Sequence, residues 1–363
     1  MSKAAELAAL IANVNNGSSL GNKNLVINGA MNVAQRGTVT GADDGDYGGP
    51  DRFAMRESSA LVVTMSQDSS VPTGQGFNNS MKLDVTTADS SVASGDYAYL
   101  GYRFEGQDLQ SLKKGTSEAV PVTLSFWIKT TITGTYVIQL YDNDTSGGRH
   151  ISKSYTVSSA DTWEKKTITF AGDTTGALDD DNAYSLQIYW WLLAGTDFTS
   201  GTLATSWASF TAANAAVGQV NAVNSTSNNI YITGVQLEVG EKATEFEHEP
   251  YERTINRCFR YFNRITGYNC REFPGYNENT TKGLHVFRFP VKMRNTPTLG
   301  VSGTASSYII AYSNTQTACS SAVVFNTSNL EGVTFYSTVS SGLTAGQASC
   351  LRNIDNIDLI AEL

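Results

Sequence analysis

The sequence is poor in histidine, proline and charge. The three histidines of the 363-residue chain, His150, His248 and His285, stand far apart. None belongs to an H-E-x-x-H, H-x-H or Cys/His ligand spacing, so no zinc or catalytic metal centre is expected. G-x-S-x-G, the G-x-x-x-x-G-K-S/T phosphate loop, G-x-G-x-x-G and C-x-x-C are also missing. The four cysteines, Cys258, Cys270, Cys319 and Cys350, all fall in the last third. They are expected to be free thiols packed as small apolar groups. No run of 18 apolar residues exists, so no membrane-spanning helix is expected. The first 19 residues carry one Lys and no continuous apolar stretch, which does not fit a signal peptide. Charged residues are 16% of the chain, against about 25% in typical soluble domains. The net charge of −9 disfavours general binding to nucleic acid or to an anionic membrane.

What fills the gap is Ser, Thr, 32 Gly and many aromatics, 17 Tyr, 15 Phe and 5 Trp. That composition suits short strands joined by tight turns and is too aromatic for disorder. The expected class is all-β. With 40% apolar residues there is enough to bury a sizeable core, and the length suits two or three domains. Clear alternation runs through Leu124 to Lys129, Tyr136 to Tyr141, Lys166 to Phe170, Tyr184 to Trp191 and Ile230 to Leu237. Thr133-Gly134 reads as a hairpin turn joining the first two, and residues 195–229 read as an extended excursion.

Charge divides the chain unevenly. Residues 1–247 carry 26 acidic and 15 basic side chains, residues 248–363 carry 8 and 10. Three parts follow: a helix and linker (1–22), a β-sandwich (23–247), and a second, smaller β-domain (248–363) opened by a short helix over 250–258. In the first part Ala4, Leu7, Ile11 and Val14 follow the 3-4-3 spacing of a coiled-coil seam. Two heptads are short for an independent helix. Either this helix packs on its own domain, or Leu7, Ile11 and Val14 serve oligomerisation or docking.

Two groups of motifs resemble a known family. Asn24 to Gly29, Gln35-Arg36-Gly37, Asp51-Arg52-Phe53, Leu124 to Lys129 and Ile230 to Glu238 resemble the jelly-roll of carbohydrate-binding modules, in the form found in bacteriophage tail-fibre proteins. Arg257 to Phe262, Phe289 to Thr298 and Ala361-Glu362-Leu363 are similar to the C-terminal domain of the same tail-fibre group. The resemblance implies a jelly roll followed by a smaller β-sandwich, and a homotrimeric virion protein. Its partners would be phage tail proteins, reached through the N-terminal helix, and host surface polysaccharide, with no nucleic acid and no membrane insertion. It would act in the tail of the virion after assembly in the host cytoplasm. Such modules often carry an Asp pair in the last strand, where this chain has Thr233-Gly234.

Strand side chains alternate between faces. Leu124, Phe126 and Ile128 therefore oppose Trp127 and Lys129, and Leu186, Ile188 and Trp190 oppose Gln187, Tyr189 and Trp191. If the strands are neighbours, Trp127, Lys129, Gln139, Tyr141, Gln187, Tyr189 and Trp191 share one face. Flat rings beside amides suit sugars, whose C–H faces lie on rings while hydroxyls meet amides. The alternative is that this face packs against another subunit or against the 195–229 excursion. The rival site is basic: Arg257, Arg260, Arg264, Arg271, Lys282, Arg288, Lys292 and Arg294 could grip an anionic glycan. Equally, Arg257, Arg260 and Arg264 could answer the acidic 241–252 segment in salt bridges. No cofactor is expected, although the loops at Asp142 to Gly147 and at Asp43, Asp44, Asp46 and Asp51 leave a structural calcium open. The leading expectation is adhesion to host glycans by a tail fibre, without catalysis. The alternatives are a non-lectin virion protein and a polysaccharide depolymerase.

Overall fold

The computed structural model describes Lys3 and residues 23–267, 273–313, 315–353 and 355–363. The expected N-terminal helix, with Leu7, Ile11 and Val14, lies outside the described residues, as does Arg271. The chain is nearly all β and divides into two units, Met1–Thr254 with Leu363, and Ile255–Glu362.

The first unit contains, among the described residues, β1 (Val39–Ala42), β2 (Phe53–Ser58), β3 (Val62–Asp68), β4 (Ser80–Thr87), β5 (Tyr97–Glu105), β6 (Val122–Thr130), β7 (Gly134–Asp142), β8 (Arg149–Val157), β9 (Glu164–Phe170), β10 (Tyr184–Ala194), β11 (Ala208–Ser209) and β12 (Asn229–Val239). They form two six-stranded antiparallel sheets, β1-β3-β4-β12-β6-β9 and β11-β8-β7-β10-β5-β2. This is a jelly-roll-like sandwich. Its core is the alternation made visible: Leu124, Phe126 and Ile128 of one sheet meet Leu186, Ile188 and Trp190 of the other, all buried. The Phe126 and Trp190 rings touch edge-on across the sandwich at 5.9 Å. Each such side chain stabilises the fold by roughly 1.5–3 kcal/mol through burial.

One expectation fails here, and it moves part of the site. Thr133-Gly134 does not close a hairpin: β6 pairs with β12 and β9, while β7 pairs with β8 and β10. The β6–β7 link carries the chain from one sheet to the other. Period-two alternation is the same whether the next strand is a neighbour or lies across the sandwich, so it does not report the partner.

The second unit holds a three-stranded sheet (Phe262–Ile265, Ile357–Ile360, Thr298–Val301) and a seven-stranded sheet that includes Phe273–Asn277, Lys282–Arg288, Gly332–Thr338 and Ala348–Asn353. Phe273, Phe335, Ile310, Leu351, Ile357 and Leu359 are buried in one common core. The short helix expected over 250–258 is present as Tyr251–Phe259. Cys258, Cys319 and Cys350 are free thiols, the first two buried.

Candidate functional site

The outer face of the second sheet carries a row of tyrosines. β10 lies between β7 and β5, so Tyr189 sits opposite Gln139 and Gly101, Gln187 opposite Tyr141 and Arg103, and Trp191 opposite Tyr99. The rings stack nearly parallel in a diagonal across the strands. Tyr141 and Tyr189 are 5.9 Å apart at 17°, Tyr189 and Tyr99 4.1 Å at 23°, and Tyr99 and Tyr97 5.8 Å at 22°. Each such pair adds about 0.5–1.5 kcal/mol beyond area burial. Both ends of the row meet a phenylalanine turned edge-on. Phe210 is 5.2 Å from Tyr141 at 81°, and Phe198 is 5.5 Å from Tyr97 at 74°.

Both phenylalanines come from the excursion between β10 and β12. It lies over part of the sheet, where Ala215 and Ala216 are buried with Val137 and Trp191. It is held there by hydrogen bonds from Ser152 Oγ to the Ala215 carbonyl (2.8 Å), from the Phe210 N–H to the Gly148 carbonyl (3.0 Å), and from the Val137 N–H to Gln219 Oε1 (2.7 Å). The uncovered part is a cleft of about 300 Å³, with the tyrosine row as its floor and Arg103, Asn143, Tyr184 and Gln187 along its other side. The face thus takes both expected roles: one part packs under the excursion, the other stays open.

The glutamine amides hold the aromatic framework. Trp191 Nε1 can only donate, and it donates to Gln139 Oε1 at 3.0 Å. That leaves Gln139 Nε2 as the donor to His150 Nδ1 at 2.9 Å. The proton of the neutral imidazole is then on Nε2. Burial lowers the His150 pKa to about 4, so the ring is uncharged at neutral pH. Arg103 Nε donates to Gln187 Oε1 at 3.0 Å, and its guanidinium lies 4.4 Å from the centre of the Tyr184 ring. Burial pushes Tyr99 up to about 12 and raises Tyr141 and Tyr189, so these phenols keep their protons. No residue lining the cleft is acidic. The arrangement can stack, donate and accept hydrogen bonds. It has no pair of carboxylates for glycoside hydrolysis.

Of the seven aromatic-face candidates, Gln139, Tyr141, Gln187, Tyr189 and Trp191 come together here. Trp127 and Lys129 do not, because β6 belongs to the opposite sheet. Lys129 there donates to Ser70 Oγ at 2.7 Å and lies over the Tyr231 ring at 4.0 Å. Tyr97, Tyr99, Arg103, Tyr184, Phe198 and Phe210 were not among the sequence candidates. The alternation of Tyr97 and Tyr99 could have flagged β5. Phe198 and Phe210 carry no periodic signal.

Several arginines of the basic set are engaged within the second unit. Arg264 grips Asp358 with two hydrogen bonds, Nε to Oδ1 at 2.8 Å and Nη2 to Oδ2 at 2.7 Å. Arg294 donates to the Ala361 and Glu362 carbonyls at 2.8 and 2.6 Å. Arg257 and Arg260 are half-buried and also have partners. Arg264 therefore answers Asp358 rather than the acidic 241–252 segment, whose Glu249 pairs with Arg253 at 3.3 Å. Lys282 lies over the Tyr336 ring at 4.3 Å. Lys292 is exposed, and exposed Arg288 lines a cavity of about 130 Å³ with Thr327, Asn329 and Thr334.

The acidic loops are internally satisfied. Asp142 is buried against Lys114 at 2.8 Å, and Asp51 accepts from the Gln35 N–H and Nε2 at 2.8 and 2.6 Å. Asp43 accepts from the Asp44 N–H at 2.8 Å, and Asp46 from the Asp43 N–H at 3.0 Å. Among the described residues no three His, Cys, Asp or Glu side chains gather as a metal-ligand group.

No protein-family model and no curated protein matches the sequence. Among solved structures, the chain is similar to the enzymatically active domain of tailspike protein 4 of bacteriophage CBA120, at 16% identity, TM-score 0.33, over 60% of this chain. The match spans 21% of that domain's length. It is also similar to a family 11 carbohydrate-binding module of a cellulosomal cellulase of Clostridium thermocellum, at 14% identity, TM-score 0.29, covering 59% of this chain and 98% of the module. A third likeness is to a xylan-binding domain from Paenibacillus barcinonensis, at 15% identity, TM-score 0.28, covering 51% of this chain and 91% of that one.

Proposed function

We propose that this chain binds glycan in the tyrosine cleft and releases it unchanged. The carrying observation is the cleft itself: phenols and an arginine surround it, and no residue lining it is acidic. Stacked rings offer apolar edges and protonated hydroxyls to a sugar, whereas hydrolysis requires two opposed carboxylates. The finer reading is that of a phage tail fibre or receptor-binding protein that adheres to host surface polysaccharide. It rests on the motif resemblance at Asn24 to Glu238 and Arg257 to Leu363. In that reading the chain is a homotrimer docked to the tail through its N-terminal helix, assembled in the host cytoplasm and carried on the virion. Three copies per fibre would multiply a weak single-site affinity.

One observation favours a second reading, a non-lectin virion protein whose sheet face serves packing. Part of that face is already covered by the excursion, at Val137 and Trp191. A glycan array probed with the full chain separates the two. Binding that disappears in Tyr189→Ala supports the lectin reading, and an array without a hit supports packing. New reducing ends released from purified capsular polysaccharide would instead establish a depolymerase.

A further inference from the structure

The tyrosine row is closed at both ends and along one side. Phe210 stands across the Tyr141 end at 81°, and Phe198 across the Tyr97 end at 74°. Along the Trp191 side the excursion lies on the sheet with Ala215 and Ala216 buried. On the side bearing Arg103, Asn143, Tyr184 and Gln187 no excursion residue lines the cleft, and Arg103 donates to the Leu363 carbonyl. Phe198 further packs on Trp191 at 5.6 Å, and Phe210 on His150 at 5.1 Å. Neither end wall is therefore a loose side chain over the cleft.

A long polysaccharide held along its interior needs a groove open at two ends. Here Phe210 and Phe198 stand at both ends of the row. Its volume of about 300 Å³ is also at the small end of the range for ligand sites, about 300–1,000 Å³. From this geometry we infer that the cleft takes the terminus or a short side branch of a glycan. The terminal ring sits on the Tyr189–Tyr99 stack and the chain leaves past Asn143 and Tyr184. Phe198 and Phe210 are the residues that stop it from running on along the row. The close stacking of Tyr99 and Tyr189 at 4.1 Å adds a second feature. Those two rings cover each other's faces, so the ligand meets ring edges and phenol hydroxyls. Recognition then reads the hydroxyl pattern of a terminal sugar more than the flat face of a polymer.

This inference rests on the glycan-binding reading, and the test keeps the two apart. The full chain is applied to an array of glycans immobilised by their reducing ends, with neutral and acidic series of one to six residues. Phe198→Ala and Phe210→Ala are probed in parallel, and their folding is checked by circular dichroism and thermal melting. The expected result is a family of hits that share one terminal mono-, di- or trisaccharide on different inner chains. Affinity should stop rising beyond three residues. In the folded alanine variants affinity should instead go on rising past three residues, by about tenfold from trisaccharide to hexasaccharide, the effect expected when one wall of a pocket is removed. Hits that need an unbroken chain, with affinity rising to six residues, would overturn the terminus proposal and leave glycan binding standing. Unchanged length preference in both folded variants would remove Phe198 and Phe210 from the role. An array without hits overturns both readings.

Discussion

Trp191 Nε1 donates to Gln139 Oε1 at 3.0 Å beneath the cleft floor. The amide that the sequence offers to sugar hydroxyls is committed to a ring and, through Nε2, to His150. Both glutamine residues of the cleft act in this way, since Gln187 Oε1 holds Arg103. The groups left to face a ligand are the phenols, Asn143 and Gln187 Nε2.

Replacing Gln139 with Leu strands the Trp191 N–H and His150 Nδ1 in a buried setting. Two orphaned groups cost about 1–3 kcal/mol each, so the expected loss is about 2–6 kcal/mol. Urea denaturation reads it. A loss below 0.5 kcal/mol, taken as roughly the level of an ordinary surface substitution, would show that water satisfies both groups.

The cleft and the opposite sheet should respond oppositely to mutation. Tyr189→Ala and Tyr99→Ala are expected to weaken glycan binding more than about tenfold, by removal of the ring edge and phenol hydroxyl that the sugar meets. Trp127→Ala and Lys129→Ala should leave it within about twofold, because they lie on the other sheet. Titration calorimetry against an array hit checks the contrast.

Gly148 has φ near +74°, and a Cβ there would lie 2.2 Å from the Tyr141 hydroxyl. Gly148→Ala should displace Tyr141 from the row and destabilise the loop by about 1–2 kcal/mol. If Tyr141 resonances and binding are unchanged, the close approach is not maintained in solution.

Lys114 is buried against Asp142 at 2.8 Å and is 3.8 Å from Asp173, which also pairs with Arg149 at 2.9 Å. Removing Lys114 leaves Asp142 as a buried, uncompensated charge. Lys114→Met should cost about 3 kcal/mol, measured by denaturation at pH 7.

His150 and His285 are both buried, and burial lowers each from 6.5 to about 4. Between these values the unfolded chain binds protons that the folded chain does not. Stability therefore rises with pH across that window and is lost as pH falls from about 6.5 toward 4. Melting temperature against pH should show this slope, and His285→Gln should flatten part of it. A flat profile in the parent protein would mean that neither imidazole is held neutral.

The fold was legible where alternation decides it. Leu124, Phe126 and Ile128, and likewise Leu186, Ile188 and Trp190, point inward as their spacing requires. The site was legible along one strand at a time: Gln187, Tyr189 and Trp191 share a face because β10 is continuous. What alternation does not encode is which strands are adjacent. Thr133-Gly134 reads as a hairpin and is a crossing between sheets, and this carried Trp127 and Lys129 to the wrong face. The partners of the arginines were not legible for a different reason. Arg264 and Arg294 fasten the last strand through Asp358 and the carbonyls of Ala361 and Glu362, partners about 70–100 residues away. Such pairings arise only after folding.

Phe198 and Phe210 ride on a single connection between β10 and β12, whereas the tyrosines beneath belong to the strands. The rest of that connection supplies β11 and buries Ala222 and Val223 in the core. A lineage of such chains could therefore retune its target by changing the two phenylalanines while keeping the connection that carries them.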